Sequence, residues 1–275
     1  MRAYAVRPTS LELWDTLRRE AEEAADAEPL LRATLHKAIL RHESLEEGLA
    51  ELLVSKLAGA NLSAAALQTL VLEALADDPT ILESAARDLL ANCERDPACA
   101  SELTPFLYFK GFSALQWYRV YHKLWGSGRT ALADYLQSRV SEALSIDIHP
   151  GARLGSGIFI DHANGVVIGE TAVVSDDVSM LQNVTLGGTG KEHGDRHPKI
   201  GPGVLIGAGA SILGNIRVGE DAKIGAGSVV LRDVPPFTTV AGIPARIVSR
   251  RIVTSDQTFV APALSMDQSF PDYEI

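Results

Sequence analysis

The sequence predicts an α+β protein in which an N-terminal all-α helical domain precedes a parallel β-helix. Up to residue 145, apolar residues recur at three- and four-residue spacing, which is typical of amphipathic helices. From Ile148 onward, aliphatic residues recur every six positions. A six-residue period indicates a parallel β-helix, because three hexapeptides make one triangular coil and each turns an aliphatic side chain inward. We therefore expect a helical domain over 1–145, a β-helix over 146–250 and a flexible tail over 251–275.

The helical half also carries signals for where helices begin. Thr9 and Ser44 each precede a glutamate by three positions, which is the capping-box pattern. Pro79 and Pro105 each follow a residue that can cap a helix, and proline is favoured at the first helical position. The aromatic-rich stretch FLYFKGFSALQWYRVYHKLW, residues 106–125, is expected to form one further helix in the core. This half is therefore expected to be an all-α bundle.

The six-residue period is interrupted twice. The step from Ile160 to Ile168 is eight residues, and the step from Leu186 to Ile200 is fourteen. The longer step forces residues 187–198, GGTGKEHGDRHP, out of the coil as a loop. A loop rich in glycine and charge on a rigid solenoid is where a binding site is expected, and trimeric packing of flat solenoid faces would put that site between subunits. An ordinary glycine-rich β domain would instead alternate with period two. The in-phase aliphatic residues are Ile148, Leu154, Ile160, Ile168, Val174, Met180, Leu186, Ile200, Ile206, Ile212, Val218, Ile224 and Val230.

Composition narrows the classes of function. The formal net charge of −10 argues against nucleic acid as a partner, because phosphate binding needs a concentrated basic surface. No apolar run reaches the roughly 18 residues of a membrane span, and no secretion signal is visible, so we expect a cytoplasmic protein with no membrane segment. The two cysteines, Cys93 and Cys99, are expected to be free, reduced and structural.

His, Asp and Arg gather in three short segments of the solenoid half, at 147–149, 161–162 and 193–197. Asp147 and His162 are 15 residues apart, which would place them on neighbouring coils with their side chains close. A carboxylate that orients a histidine is the standard arrangement for a general base, because it fixes the tautomer and stabilises the imidazolium. An Asp-His pair in isolation is more often a surface feature.

Metal binding is the alternative use of these histidines, since imidazole is the commonest zinc ligand. The four candidates are His149, His162, His193 and His197. Only His193 and His197 stand at a compact i, i+4 spacing, and they lie in a glycine-containing loop. The spacing therefore disfavours a metal centre, and we expect none.

Several segments together resemble the serine acetyltransferase family. They are DIHPGARLGSGIFIDHANGVVIGETAVV, VTLGGTGKEHGDRHPKIG and IGAGASILGNIRVGEDAKIGAGSVVLRDVPP, with RDPAC and TPFLYFKGFSALQWYRVYH upstream. The resemblance covers nearly the whole chain. It implies acetyl transfer from acetyl-CoA to the hydroxyl of L-serine, giving O-acetyl-L-serine and CoA, the first step of cysteine biosynthesis from serine. It also implies a left-handed coil, a hexamer built as a dimer of trimers, and L-cysteine as a feedback inhibitor.

The resemblance assigns roles to individual residues. His162 matches the general base that deprotonates serine for direct attack on the thioester, and Asp147 matches its partner. Residues matched to serine or cysteine binding are Asp96 and Asp161 for the ammonium group, Arg196 for the carboxylate, and His197 and His193 nearby. Residues matched to CoA binding are Gly188, Thr189, Ala208, Lys223 and Ala226. Asp96 could instead cap a helix, and Lys223 could be an ordinary solvated lysine. No bound cofactor is expected, because the thioester co-substrate is already activated.

The chain ends in Ile275. The resemblance implies that this residue inserts into the active site of O-acetylserine sulfhydrylase (cysteine synthase), the next enzyme of the pathway, whereas an unbound frayed terminus is the alternative. Two other classes remain open at this point: a hexapeptide-repeat acyltransferase that acts on a sugar or an antibiotic, and a non-catalytic scaffold. Serine-dependent release of the CoA thiol would distinguish the three.

Overall fold

A computed structural model describes residues 8–59, 62–191, 193–250 and 260–269. Its N-terminal part is helical, with a 3₁₀ turn at Pro29–Leu31 and a π-helical turn at His36–Leu40. Within the described ranges, no helix is both long and apolar enough to cross a membrane. The α-helices are α1 Ser10–Ala27, α2 Arg32–Leu35, α3 Leu45–Leu57, α4 Ala64–Asp77, α5 Thr80–Arg95, α6 Leu103–Tyr108, α7 Lys110–Gly126, α8 Thr130–Leu144 and α9 Pro262–Ser265.

The second part is a solenoid whose strands form three sheets, parallel except for a final antiparallel pair. Sheet I has the strand order β1-β4-β7-β10-β13, sheet II β11-β8-β5-β2 and sheet III β15-β14-β12-β9-β6-β3. The strands are β1 Ile146–Ile148, β2 Arg153–Leu154, β3 Phe159–Ile160, β4 Val166–Ile168, β5 Val173–Val174, β6 Ser179–Met180, β7 Thr185–Gly187, β8 Lys199–Ile200, β9 Leu205–Ile206, β10 Ser211–Leu213, β11 Arg217–Val218, β12 Lys223–Ile224, β13 Val229–Val230, β14 Thr238–Gly242 and β15 Ala245–Arg250.

The strand register follows the hexapeptide period. In-phase aliphatic residues stand opposite one another on successive coils: Ile168 pairs with Leu186 in sheet I, and Ile200 pairs with Val218 in sheet II. Their side chains are buried and form the core of the solenoid. The predicted fold class, a helical region followed by a parallel β-helix, is confirmed.

The two predicted capping boxes have different outcomes. At α1, the Thr9 hydroxyl accepts from the Glu12 N–H at 3.2 Å and the Glu12 carboxylate accepts from the Thr9 N–H at 2.8 Å, so the box is confirmed. At α3, the Ser44 hydroxyl accepts from the Glu47 N–H, but the Glu47 carboxylate accepts from the N–H of Glu43, one residue too early. The second box is therefore only half formed.

Two predictions for this region are wrong in detail: the helix start at Pro105, and the single helix over 106–125. Helix α6 already begins at Leu103, whose N–H is satisfied by the carboxylate of Glu20 at 2.9 Å, so Pro105 is its third residue. The backbone then becomes extended at Phe109, with φ −81° and ψ 112°, which splits the predicted single helix into α6 and α7. As a result, the N-terminus of α7 faces the first coil of the solenoid.

The tail expected to be flexible is packed where the structure describes it. Ala263 in α9 is fully buried, its carbonyl accepts from the Ser179 hydroxyl at 2.8 Å, and its N–H donates to the Gly203 carbonyl at 3.2 Å. Helix α9 thus fills a site between α5 and sheet III. Ile275 lies outside the described residues.

A buried carboxylate joins the two parts of the molecule. Asp88 of α5 has no exposed surface and accepts from Arg119 at 2.6 and 3.1 Å and from Gln116 at 3.1 Å, both on α7. Its other oxygen accepts from the N–H of Ile158, just before β3, at 2.9 Å. Arg119 also donates to the Gly155 carbonyl at 2.8 Å. Four donors thus satisfy one carboxylate and tie α5, α7 and the first coil together.

We predict that Asp88→Ala lowers the free energy of unfolding by about 3–5 kcal/mol, because it leaves the Arg119 guanidinium buried without its partner. Urea unfolding followed by circular dichroism measures this loss. Asp15→Ala, at an exposed position of α1, is the matched control and should change stability by less than about 0.5 kcal/mol. Equal effects of the two substitutions would contradict the role of Asp88.

Candidate active site

The eight-residue step in the hexapeptide period forms the corner that carries His162. Residues 161–164, here called the His162 corner, join β3 to β4. His162 and Ala163 have φ of 53° and 61°, in the left-handed region that non-glycine residues rarely adopt. The His162 side chain is 71% exposed. Such backbone strain clusters at functional sites, and here it accommodates the two extra residues while pointing an imidazole outward.

A cavity of about 460 Å³ opens beside His162. Residues of the helical part and of the solenoid line it together. Gly111, near the start of α7, permits this approach, because a Cβ there would collide with the carbonyl oxygen of Ile160. The lining residues are Asp96, Ala98, Tyr108, Phe109, Lys110, Gly111, Ile160, Asp161, His162 and Asn164.

Two carboxylates give this cavity an acidic wall. The Asp161 Oδ2 lies 3.8 Å from His162 Nε2. Burial raises the pKa of Asp161, the imidazole of His162 opposes this shift, and the nearby Asp96 carboxylate adds to it. Asp96 caps the C-terminal end of α5, where its N–H donates to the Asn92 carbonyl at 3.0 Å, and its carboxylate accepts from the Ala98 N–H at 2.8 Å. A cationic group in this cavity would relieve the repulsion between the two carboxylates.

Asp147 has a different environment from the one expected. It lies on β1, opposite Val167, and its carboxylate accepts from the Gln137 amide of α8 at 2.6 Å. Asp147 and His162 belong to the same first coil, so the expectation of neighbouring coils is wrong. Between these two described side chains there is no hydrogen bond or ion pair, and the carboxylate beside His162 is that of Asp161.

The loop left out of the coil forms a second cluster, here called the Arg196 corner, which comprises residues 169–171 and 195–197. The Arg196 guanidinium donates to the Glu170 carboxylate at 2.7 Å, and this hydrogen bond lowers the pKa of Glu170. His197 is 7% exposed and packs on Gly169, where any Cβ would overlap its ring.

Charge and burial also shape the chemistry of the Arg196 corner. Burial lowers the pKa of His197, and the charge of Arg196 lowers it further. Lys199 stabilises the end of the loop by donating to the Asp195 carboxylate at 2.5 Å. His193 is exposed in the loop. The corner therefore presents a guanidinium beside a neutral imidazole, which suits an anionic or carbonyl oxygen.

The two corners lie at opposite edges of sheet I. The His162 corner precedes the strands of this sheet, and the Arg196 corner follows them. Five residue steps separate Asn164, the last residue of the His162 corner, from Gly169, the first of the Arg196 corner, which is roughly 16 Å at 3.3 Å per residue. One chain therefore does not bring Arg196 and His197 to His162.

Two residues matched to CoA binding share an edge with His162. The coil corners stack through backbone hydrogen bonds from Asn183 to Asn164 at 2.7 Å, from Gly209 to Gln182 at 2.9 Å and from Gly227 to Ala208 at 2.8 Å. Ala208 and Ala226 thus lie two and three coils from His162, which is about 10 and 14 Å at the spacing of neighbouring strands.

The other CoA candidates lie elsewhere. Gly188 and Thr189 follow β7 at the opposite edge of sheet I, where the loop leaves the coil. Lys223, on β12 of sheet III, is buried and donates to the Ser269 carbonyl. The alternative that it is an ordinary solvated lysine is therefore wrong. The five candidates therefore do not form one continuous patch on a single chain.

The two cysteines are free but adjacent. The Cys99 thiol donates to the Ser101 carbonyl at 3.2 Å, and the two thiols also interact: Cys99 raises the pKa of Cys93, and Cys93 lowers that of Cys99. The sequence did not indicate this contact. In the part of the chain that the structure describes, no three His, Cys, Asp or Glu side chains are grouped so as to hold a metal ion.

Sequence reasoning missed Lys110 and Gly111, which line the cavity beside His162, and Glu170 and Thr171, which belong to the Arg196 corner. Glu170 and Thr171 occupy the corner one coil before the loop, and the stacking of coils could have indicated them. The eight-residue step was a second available signal, since it falls on His162 itself. Gly111 offers no local signal, because its importance arises from the packing of α7 against the first coil.

Known proteins match this arrangement over almost the whole chain. A family model described as serine acetyltransferase, N-terminal, matches residues 13–117, and one for bacterial transferase hexapeptide (six repeats) matches residues 197–232. The Salmonella typhimurium serine acetyltransferase is 55% identical over 258 residues, covering 94% of this chain and 92% of its own. The crystal structure of serine acetyltransferase from Vibrio cholerae is 56% identical with a TM-score of 0.91, covering 95% of this chain and 99% of its own. Fold and site thus define a hexapeptide-repeat transferase.

The Haemophilus influenzae serine acetyltransferase is 51% identical over 261 residues, covering 95% of this chain and 96% of its own. Identity at this level over nearly full length places the chain within one family. The chain belongs to the serine acetyltransferase family.

We predict that Gly111→Ala destabilises the protein by about 1–3 kcal/mol, because its methyl group would collide with the Ile160 carbonyl and push α7 away from the His162 corner. Thermal unfolding by scanning calorimetry measures the loss. Gly126→Ala, in the same helix with open space around its Cβ, is the matched control and should leave the melting temperature almost unchanged. A melting temperature for Gly111→Ala equal to that of the control would contradict the prediction.

Proposed function

We propose that this member of the family transfers the acetyl group of acetyl-CoA to the hydroxyl of L-serine, giving O-acetyl-L-serine and CoA. The observation that carries the proposal is the cavity at the His162 corner, where an outward imidazole stands beside two carboxylates. Relatives of known structure support the choice of ligands: one from soybean is described as complexed with serine, one from Brucella abortus as a complex with coenzyme A, and another serine acetyltransferase as a complex with cysteine.

His162 acts as the general base. Its exposed imidazole takes the proton of the serine hydroxyl while the oxygen attacks the thioester carbonyl, and a tetrahedral intermediate forms. When the intermediate collapses, the carbon–sulfur bond breaks and the imidazolium returns its proton to the CoA sulfur. Both substrates are bound together, and transfer is direct. Asp147 stabilises the imidazolium from the first coil, a role it would take by turning from Gln137 toward His162.

Serine is held at both of its charged ends. Its ammonium group binds Asp161 and Asp96, which otherwise repel each other in the cavity. Its carboxylate binds Arg196, whose planar guanidinium can donate two parallel hydrogen bonds. His197 and His193 accompany Arg196. Because Arg196 lies at the far edge of sheet I, it must come from a neighbouring subunit. Packing of solenoids into trimers would bring the two edges together, and the family resemblance extends this to a hexamer.

Acetyl-CoA approaches His162 along the stacked corners. Ala208 and Ala226 carry no bulky side chain and lie about 10 and 14 Å from the His162 corner, so an extended pantetheine arm would reach from them to the imidazole. Acetyl-CoA would also be contacted by Gly188, Thr189 and Lys223. These contacts would come from a neighbouring chain or from the adjoining face of the solenoid. We also propose L-cysteine, which has the same shape as serine, as an inhibitor at the serine subsite.

The C-terminal interaction is a separate proposal. Ile275, outside the described residues, would enter the active site of O-acetylserine sulfhydrylase as a carboxylate-bearing peptide end. The support for it is the family resemblance alone.

The decisive experiment is an assay of free CoA thiol with L-serine as the acceptor. Release that requires L-serine, together with O-acetyl-L-serine detected by mass spectrometry, is the expected result. Release that occurs with a sugar or aminoglycoside acceptor but not with serine would point to another acyltransferase. No release with any acceptor would leave a scaffold role instead.

We predict that His162→Ala lowers kcat by roughly two to four orders of magnitude, the usual contribution of a general base. Binding of acetyl-CoA, measured by isothermal titration calorimetry, should stay within about threefold, because the co-substrate is held mainly along the other coils. Asp147→Asn should be milder, since the imidazole stays in place. A His162→Ala enzyme with more than about a tenth of wild-type turnover would rule out this assignment.

We predict that Arg196→Lys raises KM for serine by at least about tenfold and changes KM for acetyl-CoA by less than about threefold. A lysine keeps the charge but loses the bidentate geometry for a carboxylate. Steady-state kinetics with each substrate varied in turn gives both constants. Equal increases in the two constants would show that Arg196 does not serve serine alone.

A further inference from the structure

The hydroxyl of Thr171 is the centre of a hydrogen-bond cluster in the Arg196 corner. Its oxygen accepts from the backbone N–H of Arg196 at 3.0 Å and from that of His197 at 3.1 Å. Two accepted bonds occupy both of its lone pairs. The hydroxyl proton remains to be donated, and His197 Nδ1 lies 2.8 Å away. Asp195 is a second acceptor within reach of this hydroxyl, and their hydrogen bond contributes to the lowered pKa of Asp195.

A second donor decides the tautomer of His197. The backbone N–H of Thr171 points at the same Nδ1 at 3.2 Å. A backbone N–H can only donate, so Nδ1 must be the unprotonated nitrogen of the ring. A proton on Nδ1 would face this N–H and a hydroxyl oxygen whose lone pairs are already occupied. The ring proton must therefore reside on Nε2.

The surroundings of His197 also favour a neutral ring. Burial and the adjacent Arg196 lower its pKa. The other charged groups that face it are Glu170, Lys199 and His149, of which only Glu170 raises its pKa. The ring packs on Gly169, which has no side chain to displace it. Among the residues that the structure describes, none accepts a hydrogen bond from Nε2.

We propose that Thr171 is a positioning residue that holds His197 as a neutral imidazole protonated on Nε2, so that His197 donates a hydrogen bond to a substrate oxygen instead of serving as a second base. The inference rests on the proposed function for the identity of that oxygen. The serine hydroxyl is served by His162 and the serine carboxylate by Arg196. The remaining oxygen is the thioester carbonyl, which becomes an oxyanion in the tetrahedral intermediate.

A neutral imidazole is suited to this task. A donor aimed at a developing oxyanion stabilises the transition state more than the ground state, and loss of one such donor typically costs about 10²–10³ in kcat. Neutral histidine is known to polarise a substrate carbonyl in another enzyme, where its environment keeps the ring uncharged. His197 would act on the carbonyl of a thioester bound to the neighbouring subunit's His162 corner.

The tautomer can be measured without any assay of activity. Solid-state ¹⁵N NMR of histidine-labelled full-length protein, with the signals of His197 assigned by comparison with His197→Asn, reports which nitrogen carries the proton. We expect an unprotonated Nδ1 and a protonated Nε2 at pH 7. A proton on Nδ1, or a doubly protonated ring at this pH, would overturn the proposal even if the enzyme acetylates serine.

Two substitutions of Thr171 test its positioning role. Thr171→Val removes the hydroxyl donor that opposes protonation of Nδ1, so His197 should titrate at a higher pH in the NMR spectra and kcat should fall about tenfold, with KM for acetyl-CoA little changed. Thr171→Ser should restore both values. Thr238→Val, which removes a buried solenoid hydroxyl that donates to the Pro236 carbonyl at 3.0 Å, is the matched control. An unshifted His197 titration in Thr171→Val would refute the role.

Two substitutions of His197 test donation from Nε2. The amide nitrogen of His197→Gln can reach the place of Nε2, whereas that of His197→Asn reaches only the place of Nδ1. We expect His197→Gln to retain kcat within about tenfold of wild type and His197→Asn to lose about 10²–10³. Equal losses in the two variants would contradict donation from Nε2. If NMR confirms the tautomer but no variant or wild-type protein acetylates serine, the proposed function fails and the positioning by Thr171 stands.

Discussion

The inward stack of aliphatic residues is the constraint on which the candidate site depends. Each coil must present one aliphatic side chain per sheet in register with the coils above and below, as Ile168 and Leu186 do. A residue inserted within a strand would turn the wrong side chains inward, so insertions are confined to corners. The two interruptions of the period both follow this rule. One forms the His162 corner, and the other forms the loop that carries Arg196 and His197.

This constraint explains which parts of the molecule could be predicted. The six-residue period predicts the solenoid because it records a repeated local burial pattern, and the capping residues predict the start of α1 for a similarly local reason. The break at Phe109 could not be read in the same way. The stretch FLYFKGFSALQWYRVYHKLW contains no proline that would mark a break, and the break is decided by packing of α6 and α7 against different partners.

The sequence predicts which residues form the candidate site better than it predicts where they lie relative to one another. Spacing and resemblance indicated Asp161, His162 and Arg196, but not that sheet I separates the first two from the third. Spacing also suggested contact between Asp147 and His162, whereas Gln137 occupies the Asp147 carboxylate. Contacts of this kind depend on the three-dimensional path of the coil and on the position of α8. The separation of two residues along the sequence specifies neither.

The helical part shapes the site as well as supporting it. Asp88 fixes α5 and α7 against the first coil, and Gly111 brings the start of α7 onto Ile160, so the acidic cavity has walls from both parts. The far end of the chain is held to the same body: Ala263 is buried near α5, and Lys223 binds the carbonyl of Ser269. Ile275 stands six positions after Ser269 in the sequence. A fully extended segment of this length spans at most about 20 Å. A molecule that binds Ile275 while the anchor holds must therefore approach within that radius of sheet III, and its own surface must accommodate the solenoid wall at such short range.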